Sequence, residues 1–454
     1  MEHSGSGYRM NNVYLVRSAL VAALGGLLFG FDTAVIAGAT RALSQTYGLS
    51  AAMLGVTVSM ALWGTVAGSL LASAPSDRYG RKACLSALGL LYIVSALGCA
   101  WAWNWYVLIF FRLIGGLAIG GSSVAGPMYI AEIAPARKRG RLVGFFQLNV
   151  VAGILLAYLS NYLVSGAHLG DAEWRWKLGI AAIPAALFMA ALPTIPQSPR
   201  WLVAAGRKTE AREVLVRMGE LAPDEEIRQI SESLHAEQLG GNEPLFQTRY
   251  RKPVFLAISI GMFNQLSGIN AILYYLNDIF ERAGFNRVSS DMQAVLIGFT
   301  NLVFTCLAMT VIDRFGRKKL LLTGAAGTGI CLAGVAGIFA TGQHSEYLVW
   351  LLVGFIAFFA FSQGAVIWVY LSEVFPTLVR AKGQSLGSFT HWIMNALISG
   401  VFPVMAARSG AIPFVFFAGM MALQFVIVLK TYAETKGVSL EEMEHHFATH
   451  ADRK

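Results

Sequence analysis

The stretch that decides the fold is Asp77-Arg78-Tyr79-Gly80-Arg81-Lys82, because it occurs twice: it recurs 236 residues later as Asp313-Arg314-Phe315-Gly316-Arg317-Lys318. A second motif behaves in the same way. Tyr129, Glu132, Pro135 and Arg139 recur 241 residues later as Tyr370, Glu373, Pro376 and Arg380. Two independent motifs with nearly the same offset indicate that one half of the chain is a duplicate of the other.

The composition around these motifs excludes an ordinary soluble protein. Of 454 residues, 56% are hydrophobic and only 13% are charged, with a mean hydropathy of +0.56. Twelve apolar runs are present, near residues 14–38, 51–73, 84–102, 106–128, 142–164, 177–193, 253–280, 292–312, 319–341, 347–371, 384–407 and 411–430. We therefore predict an all-α membrane protein with twelve transmembrane helices in two six-helix halves. The predicted domains are the halves at 1–196 and 253–430, a cytoplasmic helical linker at 197–252 and a cytoplasmic tail at 431–454.

The net charge of +9 is distributed in a way that predicts topology. Basic residues collect in every second loop, at 78–82, 137–141, 314–319 and 380–382, and in the linker. The positive-inside rule explains this pattern better than nucleic-acid binding does, and it predicts that both termini are cytoplasmic. The four cysteines lie in apolar runs without a CxxC pair, so we expect buried thiols and neither a metal nor a cofactor.

A polar interruption in the seventh apolar run points to the ligand. The stretch Phe263–Tyr275 contains the neutral amides Asn264, Gln265 and Asn270, which must face something polar inside a membrane. On a straight helix Gln265 and Asn270 would lie about 140° apart. A break at Gly268 would turn both toward one cavity, at the midplane between the duplicated halves. Uncharged amides beside two tyrosines suit a neutral, hydroxyl-rich ligand.

A carboxylate in the first apolar run suggests proton coupling. Asp32 is surrounded in sequence by Leu, Phe, Gly, Val and Ile, and an unpaired charge there costs at least ~2.5 kcal/mol. Arg112 in the fourth run is the expected partner. An ion pair that forms and breaks with protonation would couple a proton to a substrate, whereas a permanent pair would be purely structural.

With these motifs in view, the chain resembles the sugar porter family of the major facilitator superfamily over nearly its whole length. The matching pieces are Gly30-Phe31-Asp32-Thr33, both Asp-Arg-x-Gly-Arg-Lys loops, Arg112 with Gly115-Gly116, Pro196–Arg200, Gln265–Asn270, Trp368–Pro376 and Glu434–Gly437. It is most similar to bacterial proton-linked xylose, arabinose and hexose symporters. The sequence departs from the family pattern at Asn264, His391, Gln197 and Ala433.

The resemblance implies a set of sugar contacts, namely Gln147, Asn264, Gln265, Asn270, Asn301, Trp368 and Asn395, with Phe29, Tyr274 and Trp392 shaping the cavity. A pyranose can stack its C–H face on a tryptophan while its hydroxyl groups reach amides. Without the resemblance, Trp368 and Trp392 could equally be lipid-facing or interfacial residues, and Gln147 and Asn301 could make helix–helix hydrogen bonds.

His391 has three possible roles: a packing residue, a hydroxyl partner in place of an amide, or a second titrating group. The repeated motifs read as gates at the cytoplasmic face. There Glu132 and Glu373 lie beside Arg81, Arg139, Arg317 and Arg380, and we expect salt bridges that cross between the halves and close the inner side. The same charges also set topology.

These observations predict a monomeric secondary transporter that carries a small neutral sugar (pentose, hexose or polyol) with a proton across the cytoplasmic, or inner, membrane. A uniporter without proton coupling and a sugar sensor with a transporter fold are the alternatives. An integral-membrane enzyme is disfavoured, because His445, His446 and His450 lie in a polar tail and no nucleophile–base set is evident.

Overall fold

The computed structural model describes residues 4–135, 138–239, 243–376 and 379–436, except for the side chains of 4–12, 236–239 and 313. The secondary structure of these residues consists of helices joined by turns and loops. Residues 437–454, which include most of the predicted tail and its three histidines, lie outside the described part.

Twelve helical segments in the described ranges are long and apolar enough to cross a membrane, which confirms the predicted number. Spans 1 to 6 are Val13–Gly38, Ala51–Leu71, Arg81–Ala100, Trp105–Ile133, Arg139–Gly166 and Gly170–Thr194. Spans 7 to 12 are Thr248–Tyr274, Arg287–Ile312, Arg317–Thr341, Ser345–Glu373, Arg380–Arg408 and Ile412–Thr431. The polar stretch between the halves is helical as predicted, at Pro199–Ala204, Lys208–Met218 and Pro223–Leu239.

Several spans are interrupted helices. Span 6 consists of Glu173–Gly179 and Ala182–Ala191. Span 7 consists of Arg251–Leu266 and Ile269–Tyr274 and is followed by the helix Leu276–Arg282. Span 10 breaks at Ser362 between Leu348–Phe361 and Gln363–Glu373. Short helices at Thr40–Tyr47 and Ser73–Tyr79 lie outside the spans, next to spans 1 and 3.

By packing, the chain forms two compact units. The first contains Met1–Asp32, Gly64–Ala157 and Leu178–Asn242, and the second contains Thr33–Trp63, Tyr158–Lys177 and Glu243–Lys454. This division differs from the predicted borders at 196 and 253, which follow the sequence repeat. The reason is that the ends of spans 1, 2, 5 and 6 farthest from the linker pack within the second unit.

Glycines allow close helix packing around span 1 and span 2 in the first unit. A Cβ atom at Gly30 would approach the Val150 carbonyl oxygen of span 5 to 1.8 Å, and one at Gly120 would approach the Thr65 oxygen of span 2 to 2.1 Å. Small residues permit such backbone contact in membranes, where apolar side chains gain little by leaving lipid. This packing positions Asp32, two residues beyond Gly30, inside the first unit.

Candidate functional site

The predicted break in span 7 is present and lies at Gly268. This residue has φ +81°, and a Cβ atom there would meet the Phe417 ring at 2.3 Å, so only glycine fits. Ser267 satisfies backbone groups at the break: its hydroxyl donates to the Asn264 carbonyl oxygen at 2.6 Å and accepts from the Ile269 N–H at 3.3 Å. The chain can therefore leave the helix in a buried position without losing its hydrogen bonds.

The break brings together the three amides that the sequence singled out. Asn270 Nδ2 donates to Gln265 Oε1 at 3.0 Å, and Gln265 Nε2 donates to Asn264 Oδ1 at 3.1 Å. Gln265 is 1% exposed, so it holds this position at the centre of the group. The prediction that Gln265 and Asn270 face the same region is confirmed.

We call Asn264, Gln265 and Asn270 the amide cluster. His391 of span 11 contacts it. Gln265 Nε2 lies 3.2 Å from His391 Nε2 and 3.3 Å from Nδ1, and the other hydrogen of the same amide is used by Asn264. Because the amide nitrogen can only donate, the imidazole must present a lone pair to it. His391 thus serves here as a hydrogen-bond acceptor for Gln265 in addition to its packing contacts.

Two tryptophans flank the imidazole. The His391 ring centre is 5.3 Å from that of Trp368, at an interplanar angle of 55°, and 5.0 Å from that of Trp392, at 87°. Trp392 is buried, whereas Trp368 remains 39% exposed. The arrangement therefore offers an aromatic face next to a group of hydrogen-bonding amides.

A second polar group continues along span 11. Asn395, one helical turn after His391, donates from Nδ2 to Tyr274 Oη at 3.3 Å and accepts from Ser399 Oγ at 3.2 Å. All three side chains are buried in the second unit. Asn301 is buried on span 8 of the same unit, and Gln147 is half-buried on span 5 in the first unit.

The buried ion pair predicted from the sequence is present in the first unit. Arg112 Nη1 lies 2.9 Å from Asp32 Oδ1, and the two side chains are 5% and 15% exposed. Burial makes such a pair sensitive to the charge of either partner, because an uncompensated charge would be poorly solvated. The role of Asp32 in coupling remains a prediction.

The four arginines and two glutamates of the repeated motifs are arranged differently from the expectation. Glu132 binds Arg81 of its own half, with Nη2 to Oε1 at 2.8 Å, and Glu373 binds Arg317 of its own half at the same distance. Arg139 is exposed, and Arg380 Nε donates to the Phe375 carbonyl oxygen at 3.3 Å. Each glutamate therefore ties two helices within one half, where we expected a bridge between halves.

Sequence reasoning missed two groups of buried polar residues. Gln363, at the break in span 10, is 1% exposed, and its backbone carbonyl oxygen accepts from Asn264 Nδ2 at 3.4 Å. Lys177 and Asp291 are also fully buried. Lys177 is the first residue of an apolar run and Asp291 immediately precedes one, so both resemble ordinary interfacial charges, and only their opposite signs could have suggested a pair.

The chain is similar over nearly its whole length to known transporters. The family described as "Sugar (and other) transporter" matches residues 18–447. The arabinose-proton symporter of Bacillus subtilis (strain 168) is 37% identical over 442 residues, which cover 95% of this chain and 94% of the relative.

Solved structures give the same result. An inward-open conformation of the xylose transporter XylE from E. coli superposes with a TM-score of 0.85 at 32% identity, covering 95% of this chain and 100% of that chain. The major facilitator superfamily proton:xylose symporter XylE bound to 6-bromo-6-deoxy-D-glucose gives 0.79 at 33% identity, covering 96% and 100%. The predicted fold class is therefore confirmed, and these relatives are transporters, not enzymes. The chain belongs to the family of sugar (and other) transporters.

Proposed function

We propose that this chain carries a neutral monosaccharide together with a proton across the cytoplasmic membrane by alternating access, and that Asp32 is the proton-carrying group. The named relatives support the class of transport, since they move arabinose or xylose with protons. Linker-side loops hold most of the Lys and Arg, which supports a cytoplasmic linker and cytoplasmic termini.

The amide cluster supports a sugar as the cargo. Asn264, Gln265 and Asn270 carry no charge, and their donors and acceptors already form a hydrogen-bonded chain that a hydroxyl-rich ligand can join. The partly exposed Trp368 offers a ring on which the apolar face of a pyranose can stack. Gln147 and Asn301 are proposed further sugar contacts, and we expect the transporter to work as a monomer.

The observation that carries proton coupling is the Asp32–Arg112 ion pair. When Asp32 takes a proton, Arg112 loses its charged partner, so the two protonation states favour different surroundings of the arginine. One proton that crosses 100 mV supplies ~2.3 kcal/mol, which supports about a 50-fold sugar gradient at ~1.36 kcal/mol per tenfold. The alternative is a uniporter. The contact is closed in the structure, at 2.9 Å, and a pair that never opens would not link sugar transport to a proton.

Uptake into proteoliposomes separates these two functions. We would measure radiolabelled xylose, arabinose, glucose, galactose and myo-inositol with and without an imposed inward proton gradient. Wild-type protein should accumulate at least one sugar above equilibrium, whereas Asp32→Asn should only equilibrate it. Asp224→Asn, a matched exchange on the exposed linker, should accumulate sugar like wild type.

Three outcomes would contradict the proposal. Accumulation by Asp32→Asn would remove Asp32 from coupling, and equilibration by wild-type protein would identify a uniporter. If none of the five sugars moves, the proposed class of cargo is wrong.

A further inference from the structure

Four charged side chains, three of them buried and one exposed, form a cluster near the starts of spans 6 and 8, outside the site described above. Lys177 Nζ lies 2.9 Å from Glu173 Oε1 and 3.3 Å from Asp291 Oδ2, and Arg287 Nη2 lies 2.6 Å from Glu173 Oε1. Lys177 is 1% exposed and Asp291 is not exposed. We call these four residues the outer ionic cluster.

The cluster is electrically balanced and well hydrogen-bonded. Two cations face two carboxylates, and Lys177 Nζ also donates to the Gly38 carbonyl oxygen at 3.1 Å. Ser165 Oγ contacts both Glu173 and Asp291, and Asn277 Nδ2 donates to Asp291. Burying ions is costly unless each charge is paired, so the arrangement is favourable only while all its members stay together.

The members come from both halves of the duplicated sequence. Glu173 and Lys177 belong to span 6, while Arg287 and Asp291 belong to span 8. Lys177, in the first half, contacts both carboxylates: Glu173 in the first half and Asp291 in the second. Separation of the two halves on this side would therefore split the cluster and expose it to water.

Other contacts between the halves lie on the same side. Arg41 Nη1 is 2.5 Å from Glu281 Oε2. Span 2 also meets span 11 so closely that a Cβ atom at Gly55 would lie 2.0 Å from the Gly400 carbonyl oxygen. These contacts, together with the cluster, hold this side closed in the structure.

We infer that the outer ionic cluster is the outer gate of the transport cycle and that Lys177 is its positioning residue. The inference rests on the proposed function, because a gate has meaning only in a protein that opens to each side in turn. In the closed state Lys177 neutralises buried carboxylates; in the open state water would solvate all four charges. Loss of Lys177 therefore destabilises the closed state without a matching effect on the open state.

The size of the expected shift follows from the charges that remain. In Lys177→Met, Glu173 keeps its pair with Arg287, which is 44% exposed, whereas Asp291 keeps only its hydrogen bonds with Ser165 and Asn277. One carboxylate is left largely uncompensated, so the open population should rise about 100-fold. In Lys177→Met/Asp291→Asn one charge of each sign is removed, the cluster is neutral again, and the open population should return to within about threefold of wild type.

Opening can be measured with a cysteine at position 54. Leu54 of span 2 is partly buried and lines a cavity of about 30 Å³ with Tyr275, Phe402 and Phe414; a cavity of this size holds about two water molecules and is too small for a thiol reagent. Leu54→Cys would be introduced after Cys84, Cys99, Cys306 and Cys331 are replaced by serine or alanine. The rate of reaction with a membrane-impermeant maleimide then reports the open outer side.

Labelling would be done without sugar or a proton gradient, with the reagent on either side in separate samples. Burial raises the pKa of Asp278, beyond the end of span 7, to about 6. At about pH 8 that carboxyl is ionised in every sample. Gln343→Cys, in an exposed loop on the same side, should react equally in all backgrounds and serves as the control.

We expect Lys177→Met to react about 100-fold faster than the parent from the outer side, and the double variant to react at nearly the parent rate. Uptake should show a lower KM for external sugar together with a lower kcat, since the outward-open state becomes more populated. A purely structural lysine would lower the yield of folded protein without this split.

Equal labelling of Lys177→Met and the parent would overturn the gate, as would a double variant that stays as reactive as Lys177→Met. If Lys177→Met does not fold, Arg287→Gln supplies the test: it should react about tenfold faster, and an unchanged rate would overturn the inference. Because labelling needs neither sugar nor protons, a failure of proton coupling at Asp32 would leave its result intact.

Discussion

The duplicated motif produces two clusters that have the same backbone conformation but different side chains. The first-repeat cluster comprises Gly80, Arg81, Glu132 and Gln197; the second-repeat cluster comprises Gly316, Arg317, Glu373, Glu434 and Thr435. Gly80 and Gly316 have almost the same conformation, with φ and ψ of 91° and 155° in one and 85° and 152° in the other. The scaffold has therefore been kept in both halves.

The side chains above this scaffold differ in charge. In the first cluster the Gln197 amide oxygen accepts from the Lys82 N–H at 3.2 Å. In the second, the Glu434 carboxylate accepts from the Arg317 N–H at 2.8 Å and the Lys318 N–H at 3.1 Å. Bonds to an ionised acceptor are about twice as strong as neutral ones, so the second turn is held more firmly.

The glutamates also differ in how fully they are used. Arg317 binds both oxygens of Glu373, and Thr435 Oγ1 donates to one of them at 2.6 Å. Arg81 binds only Oε1 of Glu132, and Oε2 is buried without a hydrogen-bond partner among the described residues. The comparison shows that the second half holds the ends of spans 9 and 10 at this motif more tightly than the first half holds the ends of spans 3 and 4.

The largest effect should come from the glutamates. Glu373→Gln should lower the free energy of unfolding by about 3 kcal/mol, because a two-pronged and largely buried ion pair is broken. Glu132→Gln should cost about 2 kcal/mol, since Arg81 keeps its contact with Asp77 at 2.9 Å. Thermal unfolding of both variants in detergent checks the order; an equal or larger loss for Glu132→Gln would contradict it.

Exchanging the residue types of Glu434 and Gln197 should change the free energy of unfolding by an intermediate amount, with opposite signs for the two substitutions. Glu434→Gln should destabilise the protein by about 1.5 kcal/mol, because two charge-assisted backbone bonds become neutral. Gln197→Glu should stabilise it by about 1 kcal/mol, since the first turn then gains a carboxylate. The same unfolding assay measures both, and a destabilised Gln197→Glu protein would show that the two turns are not equivalent.

The smallest effect should come from the hydroxyl groups. Thr435→Val should cost about 1 kcal/mol and should be non-additive with Glu373→Gln, because both remove the same contact. Ser198→Ala is the matched control. Its hydroxyl accepts from the Trp201 N–H at 3.2 Å to cap the helix Pro199–Ala204, so its cost should add to that of Glu132→Gln. If a double-mutant cycle showed that Thr435→Val and Glu373→Gln are additive, the assigned contact between Thr435 and Glu373 would be refuted.

The outcome for the glutamates shows where sequence reasoning fails. Glu132 and Glu373 stand beside arginines of the same type in both halves, and nothing in the sequence says which arginine lies within reach. Packing of span 3 against span 4, and of span 9 against span 10, selected the partner in the same half. Lys177 and Asp291 were missed for a related reason: they are 114 residues apart and each looks interfacial on its own.

The sequence by itself determined the twelve spans, the helical linker, the break at Gly268 and the pairing of Asp32 with Arg112. These features follow from local hydropathy, from the backbone freedom of glycine, and from the need of a buried carboxylate for a counter-ion. Only the tertiary structure decided that His391 accepts from Gln265 between two tryptophans, that each glutamate stays within its half, and that Lys177 joins two carboxylates. Those contacts depend on distances of a few ångströms between helices far apart in the chain, and such distances are set by packing.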